Sequence, residues 1–127
     1  FACEAISDGV IVDAGSATTV DLVINSYFEG GFIYPGIDAM RETYKGISPA
    51  LDYPFNYKLD LTRMPKNSRD AISYGYLKTL HCEVISHQKQ IFLTGGNSQE
   101  LFNIFPSAIL NPHLIFDGMK KILQEIR

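Results

Sequence analysis

The segment that most constrains this chain is Asp13-Ala14-Gly15-Ser16-Ala17-Thr18-Thr19-Val20-Asp21. An apolar run, Val10-Ile11-Val12, delivers a carboxylate; a Gly-Ser turn follows, and a second run returns with a carboxylate of its own. Side chains branched at Cβ favour extended backbone, whereas glycine and serine close tight turns, so the pattern predicts a β-hairpin. The end of such a hairpin presents backbone N–H groups and a hydroxyl to a phosphate, with carboxylates within reach of its counter-cation. Asn25-Ser26 reads as the next turn. The Gly30-Gly31-Phe32-Ile33-Tyr34-Pro35-Gly36 segment supplies a third antiparallel strand over Gly31–Tyr34.

Downstream the period changes. Pro35 fixes φ where a helix begins, with Ile37, Met40 and Tyr44 on one face. Between Gly46 and Pro65 the prolines at 49, 54 and 65 break any period, which predicts a loop-rich excursion with one short extended stretch and an exposed aromatic segment, Tyr53 to Tyr57. Asn67 or Ser68 caps a long helix, with Asp70 favoured in its first turn by the helix dipole. Ala71, Ile72, Gly75, Tyr76, Thr79 and Leu80 form its stripe, the small residues standing at close-packing positions. Ile91-Phe92-Leu93 is a buried type of strand, and Thr94-Gly95-Gly96-Asn97-Ser98 turns it into a helix around Leu101 and Phe102. Asn111-Pro112 opens a last helix carrying Ile115, Met119, Ile122, Leu123 and Ile126, while Phe1 to Ile6 reads as the tail of a helix already under way. Periodicity by itself supports an α/β domain.

Composition excludes several classes. At 127 residues the chain is one domain with room for a hydrophobic core. A net charge of −3, with no basic cluster larger than Lys120-Lys121, argues against nucleic acid or an anionic membrane surface as partner. No apolar run approaches the roughly 18 residues of a membrane span. Cys3 and Cys82 form neither a disulfide framework nor a metal-ligand spacing, which fits a reducing cytoplasm. His81, His87 and His113 have no partners at metal-binding spacing, and no P-loop is present.

The hairpin, the Gly30-Gly31 strand and Pro35-Gly36, in this order and spacing, resemble the second half of the type III pantothenate kinases, ATP-dependent enzymes of the actin/Hsp70/sugar-kinase superfamily. The resemblance implies an α/β fold, a ribonuclease-H-like (actin-like ATPase) unit with a mixed sheet and flanking helices. Residues 1–127 would then be the C-terminal domain of a two-domain kinase whose N-terminal domain is absent from this chain. It further implies transfer of the ATP γ-phosphoryl group to pantothenate, opening coenzyme A biosynthesis, with Mg2+ and K+ or NH4+ as cations. A cytoplasmic homodimer with the pantothenate site near the subunit interface goes with that reading, and the aromatic segment Tyr53 to Tyr57 is a candidate for the interface. The general base of the family is the Asp of a Gly-x-Asp-Arg motif. Neither that motif nor the Asp-x-Gly-Asn-Thr phosphate hairpin occurs in Phe1–Arg127, so no catalytic residue is assigned and both are expected upstream of Phe1.

Residue by residue, the resemblance assigns Asp13 to the monovalent cation, where an isolated Asp would serve as a turn cap. Gly15 and Ser16 fall to ATP; most members carry Thr where Ser16 stands, and Ser keeps the hydroxyl. Glycine at 15 lets backbone approach a phosphate closely. Asp21 closes the hairpin pattern, and Gly30-Gly31 fits either a bulge or a close ligand. Thr94-Gly95-Gly96-Asn97 resembles the adenosine-side loop, which places Gly95 and Gly96 against the nucleoside. Ser68-Arg69-Asp70-Ala71-Ile72-Ser73-Tyr74-Gly75 resembles the family's hydroxyl-x-x-Ala-Ile-x-x-Gly helix start, whose hydroxyl contacts pantothenate; Ser68 serves equally as an N-cap. A non-catalytic nucleotide-binding or transcription-accessory relative of the same fold is the alternative function.

Overall fold

The computed structural model describes residues 6–111. The helix expected beyond Asn111-Pro112 and most of the one expected at Phe1 to Ile6 lie outside the described residues. Strand β1 (Gly9–Ala14) is central, and its Val10, Ile11 and Val12 are all buried, as a strand covered on both faces requires. It pairs antiparallel with β2 (Ala17–Ile24), which pairs antiparallel with β3 (Tyr27–Pro35). The turn between β2 and β3 uses Asn25 at φ 51° and Ser26 at φ 68°, the left-handed pair that matches the twist of a hairpin.

Helix α1 (Ile37–Ile47) follows, then a single 3-10 turn at Pro49–Leu51, and then the long α2 (Ser68–Ser86). Strand β4 (Ile91–Thr94) joins the other side of β1 in parallel, α3 (Ser98–Phe102) is short, and β5 (Ile109–Leu110) pairs parallel with β4. The sheet order is β3-β2-β1-β4-β5. An antiparallel three-strand meander extended by parallel strands beyond its first strand is the expected ribonuclease-H-like unit.

One sheet face carries Val10, Val12, Val20 and Leu93, which pack with Ile72, Tyr76, Leu77, Leu80 and Val84 of α2 into the main core. Ile11, Val23 and Phe92 sit on the opposite face. Tyr76 fastens helix to sheet: its hydroxyl donates to the Pro35 carbonyl at 2.8 Å and meets the Thr18 hydroxyl at 2.9 Å.

Three expectations need correcting here, and one open choice is resolved. No strand forms between Asp52 and Asn67. Of the rings in the aromatic segment only Tyr53 is exposed: Phe55 is buried against Tyr76, ring centres 5.6 Å apart, and Tyr57 is half-buried. The buried stripe of α2 is Ile72, Ser73, Tyr76, Leu77, Leu80 and Val84, which leaves Ala71, Gly75 and Thr79 exposed. A Cβ at Gly75 would meet nothing within 4 Å, so that glycine is not a close-packing contact. Finally, the cap of α2 is Asn67, whose side chain accepts the Asp70 N–H at 2.9 Å; Ser68 is the first helical residue.

Candidate functional site

Strands β1 and β4 run in parallel, so their carboxyl ends share one edge of the sheet, with Asp13 in register beside Thr94. Open α/β sheets place their ligands outside such an edge. Three backbone segments converge there. The Gly15-Ser16 turn is closed by the Gly15 N–H donating to the Ala17 carbonyl at 3.1 Å, and Ser16 is exposed. The loop after β4 folds back on β1, where the Asn97 N–H donates to the Ala14 carbonyl at 2.9 Å. The start of α1 lies behind the turn, because a Cβ on the buried Gly36 would strike the Ser16 carbonyl.

The glycines at this edge differ in why they are glycine. Gly95 has φ +95°, and a Cβ there would lie 2.6 Å from Asp13 Oδ1 and 2.7 Å from the Ala14 carbonyl oxygen. Its absent side chain is the seat of the Asp13 carboxylate. Gly96 has open space around its missing Cβ, and a Cβ on Gly15 would make only ordinary contacts, 3.6 Å to the Ala17 oxygen and 3.8 Å to Asp13 Oδ1. Neither has a positive φ. The fold itself does not require glycine at 15 or 96.

Asp13 is half-buried, and its carboxyl is held above the usual carboxylate range, first by burial and second by the like charge of Asp21. Among the described residues it has no ion pair or hydrogen bond that would offset this. A cation is what such a carboxylate lacks, and an oxygen-rich edge of carboxylate, hydroxyls and carbonyls suits a hard cation of loose geometry. Asp13 is thus a carboxylate that a cation of loose geometry would relieve, with the oxygens of the same edge around it.

Asp21 stands on the same face, paired with Ile11 and Gly31, and its carboxylate occupies the space that a Gly31 side chain would need. Gly30, at φ +133°, lies at the pairing irregularity between Leu22 and Val23. A bulge and a close neighbouring side chain thus account for the glycine pair, without a ligand.

Ser68 is not part of this cluster. The far end of α2, at Glu83 and His87, lies with Val10, Leu22 and Gly30 around a cavity of about 260 Å3, while Tyr76 contacts the sheet beside the hairpin turn. The helix therefore descends the sheet from the turn end. Ser68 lies two turns before Tyr76 on α2, about 12 Å back along the helix axis at about 1.5 Å per residue. It is exposed and lines an open hollow with Tyr53, Asn67 and Arg69. Sequence reasoning assigned no role to Thr94, whose hydroxyl is buried without a hydrogen-bond partner among the described residues. A Thr at a strand end carries no distinguishing sequence signal. Its signal is the pairing with Asp13.

The sheet order and its flanking helices define an actin-like, ribonuclease-H-like fold. A 16% identical solved structure, the ethanolamine utilization protein EutJ from Carboxydothermus hydrogenoformans, shares the fold at a TM-score of 0.51 over 95% of this chain and 50% of its own. The chain belongs to the type III pantothenate kinase family, which it matches over residues 2–88. It is 56% identical to the type III pantothenate kinase of Sulfurimonas denitrificans over 98% of its own length and 61% of that protein's, and 45% identical to the Campylobacter jejuni enzyme over 98% and 60%. A Campylobacter jejuni crystal structure described as a conserved candidate transcriptional activator of the Baf family superposes at TM-score 0.89, with 46% identity over 98% of this chain and 61% of that one. The chain thus spans about 60% of the length of the relatives it matches.

Proposed function

We propose that this chain forms one wall, the C-terminal one, of a kinase cleft that transfers the γ-phosphoryl group of ATP to pantothenate, the opening step of coenzyme A biosynthesis. The observation that carries the reading is the convergence of Asp13, the Gly15-Ser16 turn and the Gly95-Gly96 loop on one sheet edge. Gly15 offers bare backbone and Ser16 a hydroxyl to the phosphates of ATP. Gly96, a glycine the fold does not need, leaves the loop flush where the nucleoside would lie beside Gly95. Asp13 holds potassium or ammonium, and Ser68, exposed at the start of α2, contacts pantothenate. When bound, the monovalent cation and the magnesium that accompanies ATP offset charge on the phosphates. The chain's own contribution is positioning: a turn and a loop fixed against each other, with a carboxylate between them. On this reading the general base is the Asp of a Gly-x-Asp-Arg motif, which Phe1–Arg127 does not contain. A cytoplasmic homodimer belongs to this reading through the resemblance to the family. No helix among the described residues is long and apolar enough to cross a membrane.

The printed description of the Campylobacter jejuni structure favours a second reading, a nucleotide-binding factor without turnover that assists transcription. Pantothenate-dependent ADP release by the full-length protein separates the two. The kinase reading expects turnover that requires potassium or ammonium, an Asp13→Asn variant that needs at least tenfold more of the cation, and a Ser16→Ala variant that loses about tenfold in ATP affinity. Nucleotide binding without phosphopantothenate formation would refute it, and a cation requirement unchanged in Asp13→Asn would return Asp13 to the role of turn cap.

A further inference from the structure

Thr94 is fully buried, yet its hydroxyl has no hydrogen-bond partner among the described residues. Buried hydroxyls almost always find partners, so an orphan calls for a cause. A valine would fill the same place on a strand and would suit it better. Two facts locate the cause. Thr94 is in register with Asp13 on the adjacent parallel strand, and Phe92 pairs with Ile11 one step below, so all four share one sheet face. The next residue, Gly95, gives up its side-chain space to Asp13 Oδ1. Among the described residues, a carboxylate without a counter-charge and a hydroxyl without a partner therefore stand side by side, and they do not bond to each other. Both are completed at once by a third body that accepts oxygen lone pairs and brings positive charge.

We propose that the Thr94 hydroxyl is a neutral oxygen ligand of the monovalent cation held by Asp13. This rests on the cation reading of Asp13 and adds the residue that makes the site more than a single carboxylate. The carboxylate supplies charge, and the hydroxyl supplies a fixed lone pair from the adjacent strand. The site thus spans β1 and β4.

The test uses the full-length protein without nucleotide. Its thermal midpoint is followed against potassium chloride, with ionic strength held constant by tetramethylammonium chloride. A cation that binds only the folded state raises the midpoint as it saturates. Thr94→Val should melt at or above the parent protein in the absence of potassium, since the orphan hydroxyl is gone, yet need about tenfold more potassium for the same rise. Thr94→Ser, which keeps the hydroxyl, should titrate close to the parent, and Asp13→Asn should lose the response. If Thr94→Val melts too low to titrate, Thr94→Ala carries the same expectation. A Thr94→Val protein that titrates like the parent while Asp13→Asn does not would overturn the role of Thr94 and leave the Asp13 reading intact. Loss of response in Thr94→Ser equal to that in Thr94→Val would assign the effect to packing and also overturn it. A potassium response unaltered in Asp13→Asn and Thr94→Val alike would remove the cation from this edge, and both readings with it.

Discussion

Replacing Gly95 by alanine isolates the contact on which the site edge depends. The new Cβ meets Asp13 Oδ1 at 2.6 Å, and that side chain can rotate away; it also meets the Ala14 carbonyl oxygen at 2.7 Å and carbon at 2.8 Å, and that backbone cannot. Ala14 is held in the β1–β2 ladder opposite Thr18, and its carbonyl also accepts the Asn97 N–H. A side chain at φ +95° costs about 1–3 kcal/mol by itself, and forcing a methyl into a packed contact costs about 1–3 kcal/mol more. The sum, about 2–5 kcal/mol after partial relaxation, is a large share of the ~5–15 kcal/mol that holds a domain folded. At a urea dependence of ~2 kcal/mol per molar, the unfolding midpoint should fall by about 1–2.5 M. Gly96→Ala is the internal control. Its Cβ meets nothing within 4 Å and its φ is not positive, so its stability should stay within about 0.5 kcal/mol of the parent. On the proposed function, Gly96→Ala instead weakens ATP binding. Urea unfolding of the full-length proteins, followed by circular dichroism, reads the first effect, and nucleotide titration reads the second. Equal midpoints for Gly95→Ala and Gly96→Ala would refute the reasoning.

The α2 cap yields a second pair. Asn67→Ala should cost about 0.5–2 kcal/mol, whereas Ser68→Ala should leave urea stability nearly unchanged and raise the pantothenate KM; the reverse assignment of stability loss would restore Ser68 as the cap. Tyr76→Phe strips the fully buried Thr18 hydroxyl of its 2.9 Å partner and should destabilise by about 1–3 kcal/mol, and a urea midpoint unmoved by this change would show that the bridge contributes nothing.

Alternation and turn chemistry made β1, β2 and β4 legible in the sequence, because each strand is short, β-branched and bounded by glycine or by a turn pair. Strand β3 begins at Tyr27, four residues before the Gly31 expected from sequence, because Tyr27, Phe28 and Glu29 are exposed and show no inward period. Strand β5, two residues long, carries no period at all. The excursion from 46 to 65 was legible as loop-rich but not as core-forming. Phe55 and Leu61 are buried there by tertiary contact, and the Asn56 N–H donates to the Ser73 hydroxyl at 2.7 Å, which no local pattern announces. In the candidate site, Asp13, Gly15, Ser16 and the Gly95-Gly96 loop were legible by motif, and the structure brings them to one edge. The distinction between a glycine the fold demands and one it merely tolerates was not legible, since it depends on what stands opposite the missing Cβ.

The seating of Asp13 over Gly95 has a consequence for the order in which the molecule is assembled. The β1–β2–β3 meander is contiguous and can close from local contacts, so the hairpin turn, with Ser16 at its tip, can exist while later residues are still being made. The surroundings of Asp13 cannot. They wait for β4, which reaches β1 only after α1, the loop-rich excursion and α2 have been laid down. The residues of the hairpin turn therefore precede, in order of synthesis, the glycine that seats the Asp13 carboxylate, and the surroundings of Asp13 report completion of the unit rather than its beginning.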